Sequence, residues 1–301
     1  MAEKENQGLM KIIKAIHDFT IKEDLEKQRR SQANIGKLLG TKNSEASYSE
    51  FQVGDVPCEW VRPIRPHKND TVIFYCHGGG FYTGSLEYSR TLTTRLSLAS
   101  SMELLSFNYR LAPEHPAPAA LEDALSVWDH LMHLGYGAKN IIVAGDSAGG
   151  NLALTLGLKL KEQKRMLPRG FVLFSPWTNL TLQGKSITEK AEVDPILTLE
   201  YLDDARISYV PSGVSDTSAF ENPYISPLFG DYKGFPPTYI QVGSNEVLLN
   251  DSTDLKKHMN SQKVDIKLDL YKGMWHVFQM TNMKKSNEAV NKAAQFMLDL
   301  H

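Results

Sequence analysis

Two cysteines, Cys58 and Cys76, are all that the 301 residues contain, too few for a disulfide framework. Cys76 sits in the apolar run TVIFYC, where a buried free thiol is the expected state, and neither cysteine reads as catalytic. No stretch approaches the ~20 consecutive apolar residues that a membrane-spanning helix requires. The opening MAEKENQGLMKIIKAIHDF has early acidic residues, no apolar core and no small-residue cleavage site, so no secretory signal is visible and a cytoplasmic location is expected. Neither sign of charge is in excess: a formal net charge of -2 gives no electrostatic reason to expect nucleic acid or an anionic membrane as partner. Internal repeats and low-complexity tracts are also missing.

What is present is a large apolar content, 42% of residues, enough to bury one α/β domain or two smaller ones. Short β-branched or aromatic runs recur at residues 71–77, 102–110, 140–146, 170–177, 238–243 and 264–271. Their continuous apolar character suits strands covered on both faces. Between them, residues 119–134 and 287–300 place apolar side chains at helical spacing. The alternation predicts a mostly parallel sheet with helices on both sides. Two segments fall outside it. One is the N-terminal stretch, with Leu9, Ile12, Ile13, Ile16 and Phe19 on one helical face, followed by the charged run IKEDLEKQRR. The other, residues 183–228, is too long for a simple connection and contains the helix-like LTLEYLDDARISYV, so an excursion from the sheet is expected there.

The chemistry concentrates in VAGDSAGGNLAL. Gly145, Ser147 and Gly149 satisfy G-x-S-x-G between a predicted strand and a predicted helix. A nucleophile on such a tight turn needs a strained backbone and flanking glycines, because side chains there would strike neighbouring backbone. The start of the following helix adds a positive dipole end beneath it. A glycine-rich turn can also simply join strand to helix, and a second motif decides against that reading. In CHGGGF the glycines can turn backbone N–H groups toward a developing oxyanion. A phosphate cradle fits less well, since neither G-K-[ST] nor a helix-opening G-x-G-x-x-G is present.

A serine hydroxyl needs a base, which in this arrangement follows the acid late in the chain. Of the late histidines, His258 lies in DLKKHMN, expected to be a solvated helix, and His301 is the last residue. His276, in YKGMWHVF, follows a predicted strand in a glycine-containing loop and is the candidate base. The acid should follow TYIQVG, where Glu246, Asp251 and Asp254 are available; Glu246 is nearest the strand end, while Asp251 and Asp254 suit the cap and first turn of the next helix. His130 and His133 lie three apart on a helix without an H-E-x-x-H pattern or an acidic third ligand, so surface histidines are expected and no metal site or cofactor is assigned. Phe81, Tyr82 and Trp177 suit either an acyl pocket or the core.

HGGGF, NYRLAPEHPAPAALED, GDSAGGNLA, SPWTNL, VGSNEVLLND and WHVF, in this order from about Val72 onward, resemble the hormone-sensitive-lipase family of carboxylesterases, the bacterial family IV esterases. The resemblance implies an α/β-hydrolase fold and a triad of Ser147, Glu246 and His276. It also implies an oxyanion hole from the loop of Gly78, Gly79 and Gly80 with the Ala148 N–H. Residues 1–45 would form an N-terminal helical cap segment and 46–301 the catalytic domain, with 183–228 as a cap insertion. Glu246, Leu248 and Asn250 stand where the family motif often reads D-x-L-x-D, and Asn179 stands where aspartate is common. Arg110, Glu114, Glu122 and Asp123 are read as structural, fixing a proline-rich loop. The implied partner is a small-molecule ester, with no nucleic acid and no stable membrane association, and a homodimer is left open. The expected activity is hydrolysis of short to medium acyl esters. Two alternatives stay open: a non-catalytic small-ligand receptor, as in the related plant gibberellin receptors, which lose the catalytic histidine, and an amidase or N-deacetylase.

Overall fold

The computed structural model describes residues 8, 10, 23–39, 43–211 and 217–300. The apolar face expected from Leu9 to Phe19 lies outside the described residues, as does His301. Chain order is α1 (Leu25–Leu39), β1 (Ala46–Val53), β2 (Val56–Pro63), β3 (Lys68–Cys76), α2 (Leu86–Ser100), β4 (Met102–Phe107), α3 (Ala119–His133) and β5 (Ile141–Asp146). There follow α4 (Ala148–Glu162), β6 (Gly170–Phe174), α5 (Ser186–Glu189), α6 (Leu199–Tyr209), β7 (Thr238–Gly243), α7 (Leu249–Ser261), β8 (Ile266–Tyr271) and α8 (Lys284–Asp299).

The strands form a single eight-stranded sheet, ordered β1-β2-β4-β3-β5-β6-β7-β8. All pairings from β4 to β8 are parallel, and β2 is antiparallel to both its neighbours. This is the mostly parallel sheet expected from the alternation, and the α/β-hydrolase fold that the resemblance implies. Every residue of β5 is buried, and its side chains go alternately to the two faces. Ile141 and Val143 join the core under α3 and α4, while Ile142 and Ala144 join the one under α2 and α8. On α8 the buried residues Ser286, Ala289, Val290, Ala293, Ala294 and Met297 make the helical stripe that its sequence predicts.

The expected strands begin and end within a few residues of the observed ones, with one addition. The hairpin of β1 and β2, turning at Gly54 with φ 58°, lies outside the six apolar runs. Its first strand, ASYSEFQV, has one buried residue, so an apolar-run criterion passes over it. The chain leaves the sheet between β6 and β7, as expected, and there carries α5 and α6. Helix α6 starts at a cap in which Thr198 Oγ1 accepts the Tyr201 N–H, and it buries Leu202, Ala205 and Tyr209. The strand order reverses between β3 and β5. In open parallel sheets the crevice at the carboxyl end of that point is where ligands bind, and both glycine motifs emerge there.

Candidate active site

Ser147 follows β5 directly and precedes α4, with φ 53° and ψ -122°, a region that residues with a β-carbon rarely adopt. The turn is held by Ser147 N–H to Phe174 O (2.9 Å) and by Trp177 N–H to Ser147 O (3.0 Å). The flanking glycines are required by close approach. A β-carbon on Gly149 would lie 2.1 Å from the Cys76 carbonyl oxygen, and one on Gly145 would lie 2.4 Å from that of Gly149. Strand β5, helix α4 and the end of β3 are thus in backbone contact at the serine.

The loop after β3 divides its amides. Gly78 N–H donates to Asp146 Oδ1 at 2.9 Å, so it is committed to the protein and is not available to an oxyanion, a correction to the three-glycine expectation. Gly79 and Gly80, at φ 116° and 65°, and Ala148 at the first turn of α4 donate their N–H groups to no protein acceptor among the described residues. Asp146 also accepts from Tyr75 Oη (2.7 Å) and Tyr88 Oη (3.5 Å). Burial pushes its carboxyl up to about 6, against the lowering effect of these bonds. His77 stacks on Tyr109 with ring centroids 4.2 Å apart, and burial pulls it down to about 4.

His276, 4% exposed, places Nδ1 3.0 Å from Oε2 of the fully buried Glu246. The other carboxylate oxygen, Oε1, accepts from Ser175 Oγ at 3.0 Å and from the Gly243 N–H. Ser175 Oγ in turn accepts the Val277 N–H at 3.2 Å. The end of β6 therefore holds both halves of the site, through Phe174 O on Ser147 and Ser175 Oγ beside His276. Among the described residues no hydrogen bond joins Ser147 Oγ to His276 Nε2, a contact that commonly tightens only when substrate arrives. Burial works against the imidazolium, but the hydrogen bond and charge of Glu246, with Asp194 and Asp146 further off, hold His276 above the ordinary histidine value.

The rival acids do other work. Asp251 lies in the first turn of α7, as expected, yet instead of capping its own helix it accepts the N–H groups of Thr178 (2.7 Å) and Asn179 (2.8 Å); burial pushes it up to about 7. Asp254 pairs with Lys257 on the surface. Asn179 Oδ1 accepts from Thr181 within the same loop, and Asn250 Oδ1 accepts the Ser186 N–H. His258 is half-buried, not solvated: Nε2 meets Gly230 O at 2.7 Å and the ring lies edge-on to Tyr232. His133 is exposed, whereas His130 is half-buried against Phe51. Among the described residues no group of three potential ligands is placed to hold a metal ion. Both cysteines are free and buried. Arg110 pairs with Glu122 and Asp123, and Glu114 with Arg29 of α1. Phe81 is buried in a stack on Tyr209, Trp177 is buried, and Tyr82 is half-buried beside Tyr201. Ser175, Asp146 and Asp194 were not singled out by sequence reasoning. The first two lie inside the motifs that were, and the partners of their side chains are 58 to 102 residues away.

A family model described as alpha/beta hydrolase fold matches residues 73–280. The chain is 38% identical to an esterase of Acinetobacter venetianus over 76% of this chain and 75% of that one. It is 32% identical to an acetyl-hydrolase of Streptomyces hygroscopicus over 81% and 80%. Among solved structures, an esterase from the bacterial hormone-sensitive lipase family superposes with a TM-score of 0.88 at 28% identity, covering 97% of both chains. An esterase/lipase from an uncultured bacterium gives 0.89 at 29%, covering 98% of both.

Proposed function

The chain belongs to the hormone-sensitive-lipase family of α/β hydrolases, and from that membership we propose a serine carboxylesterase that cleaves short to medium acyl esters. The observation that carries the mechanism is the buried His276–Glu246 pair, held by the same strand end that anchors the strained Ser147. Ser147 Oγ attacks the ester carbonyl while His276 Nε2 takes its proton. Glu246 keeps the Nδ1 proton in place and stabilises the imidazolium. The negative charge on the tetrahedral oxygen falls to the amides of Gly79, Gly80 and Ala148, without that of Gly78. His276 then protonates the leaving alcohol, and water, activated by the same imidazole, releases the acid.

The chain-length reading rests on the cap. A β-carbon on Gly80 would lie 3.1 Å from both the Tyr201 hydroxyl and the Ala205 side chain, so α6 roofs the oxyanion loop at contact distance. A roof that close favours small acyl groups, in keeping with the name of the Streptomyces relative. In our reading α1 and the described part of residues 183–228 belong to this cap. The intact His276–Glu246 pair speaks against a receptor without catalysis.

A panel of p-nitrophenyl esters of increasing chain length, with matched anilides and Ser147→Ala in parallel, tests the proposal. Esters of short to medium chains should turn over, with activity falling for long chains. Ser147→Ala should lose several orders of magnitude in kcat. Faster turnover of anilides would favour the amidase reading. Ligand binding without turnover of either would favour the receptor.

A further inference from the structure

Val247 follows Glu246 directly, and the excursion holds both of its backbone polar groups. Its N–H donates to Asp194 Oδ2 at 2.9 Å, and its C=O accepts from Ser186 Oγ at 2.6 Å. Ser186 is doubly engaged, since its Oγ also accepts the Asn250 N–H (2.9 Å) and its N–H donates to Asn250 Oδ1 (2.6 Å). Asp194 is 2% exposed, and its other oxygen, Oδ1, accepts the N–H groups of Ile196 (2.9 Å) and Leu197 (3.1 Å). No lysine or arginine pairs with it among the described residues. Burial pushes its carboxyl up to about 6, against the opposing effect of His276 and of the three N–H groups that it accepts.

We propose that Asp194 is a positioning residue of the hydrolytic site: from the excursion it clamps the peptide after Glu246, fixes that carboxylate against His276, and adds a second negative charge to the surroundings of the base. The inference rests on the triad reading above. Three chain segments bring charge to bear on His276: Glu246 from the loop between β7 and α7, Asp194 from the excursion, and Asp146 from the end of β5. Glu246 makes the contact, and Asp194 and Asp146 act through space. The excursion is thereby part of the catalytic geometry. The asparagine at 250, where the family often has aspartate, serves the same latch by accepting from Ser186.

Asp194→Asn keeps the shape and an acceptor oxygen while removing the charge. Ser186→Ala loosens the same peptide without changing charge. On a p-nitrophenyl ester, Asp194→Asn should lower kcat by about tenfold or more with KM nearly unchanged, because a small misplacement of a catalytic group is expensive. It should also move the acidic limb of kcat/KM to lower pH, since a neutral side chain no longer favours the imidazolium. Ser186→Ala should lower kcat and leave that limb in place. A residue that only stabilised the fold would shift neither ratio nor limb in protein that remains folded by circular dichroism. Parental kcat and pH profile in both variants, or a loss confined to KM, would overturn the inference. If Asp194→Asn does not fold, the kcat of Ser186→Ala decides. Ser147→Ala and Glu246→Gln run alongside: loss of activity in the first and a lowered kcat in the second, beside a fully active Asp194→Asn, refute the inference alone, whereas full activity in them refutes the triad itself.

Discussion

At Ser147 the backbone sits at φ 53° and ψ -122°, where a side chain costs on the order of 1–3 kcal/mol. That strain is held by hydrogen bonds to Phe174 and Trp177 and by contact with the end of β3. Replacing the serine by glycine removes the steric cost, replacing it by alanine does not, and both remove the nucleophile. Ser147→Gly should therefore be more stable than Ser147→Ala by about 1 kcal/mol in urea unfolding, with neither hydrolysing ester. Equal stabilities would place the strain elsewhere. For His276 the sign follows from its partners. Burial disfavours its charge, Glu246 together with Asp194 and Asp146 outweighs burial, and the folded imidazole is held above the ordinary histidine value. The base works as the neutral imidazole, so kcat/KM should fall as pH drops through a point above the ordinary histidine value. Glu246→Gln should move that limb downward and lower kcat together, read from pH–rate profiles of the two proteins.

Strand β5, its turn and helix α4 form one element that fits against β3 with no room for a methyl group. Gly149→Ala would drive a β-carbon into the Cys76 and His77 carbonyls, 2.1 Å and 2.4 Å away, so the element must shift. A loss of at least about 1–3 kcal/mol is expected in the urea midpoint, with activity falling further than stability because Ala148 and Ser147 move with the turn. Wild-type activity in Gly149→Ala would contradict the packing. At this scale the sequence was informative where apolar character is continuous: β3 to β7 and α3, α4 and α8 are buried runs or stripes, whereas β8, read as covered on both faces, has no fully buried residue. It was silent on β1 and β2, whose hairpin is held by pairing at a half-exposed edge. The serine turn was legible because glycine has few other reasons to flank a serine there. The use of each amide was not, since Gly78 differs from Gly79 only in meeting Asp146, 68 residues away. Asp251 looked like a helix cap because spacing reveals its own helix, not the Thr178–Asn179 loop it reaches.

Over the whole molecule, the sheet supplies the rigid floor of the site and the non-sheet segments pin its loops. Arg29 on α1 donates to the carbonyls of Tyr82 (2.8 Å) and Ala112 (2.7 Å) and pairs with Glu114, whose carboxyl that bond holds down at about 2. Gln32 accepts the Gly84 N–H at 2.8 Å. Both reach the chain immediately after the oxyanion glycines. Glu114 is about half exposed, so the ion pair itself contributes no more than about 1 kcal/mol. Arg29→Ala should accordingly cost little in unfolding midpoint and severalfold in kcat/KM, measured on one ester, with a pure stability loss arguing that α1 does not serve the loop. This assembly is expected to make one serine nucleophilic. Intact mass spectrometry after treatment with an aryl phosphonate, followed by peptide mapping, tests it most directly. One phosphonyl group per chain is expected, on Ser147, appearing as ester hydrolysis is lost and absent from Ser147→Ala. A stoichiometric adduct on another residue, or full hydrolysis with Ser147 unmodified, would contradict it.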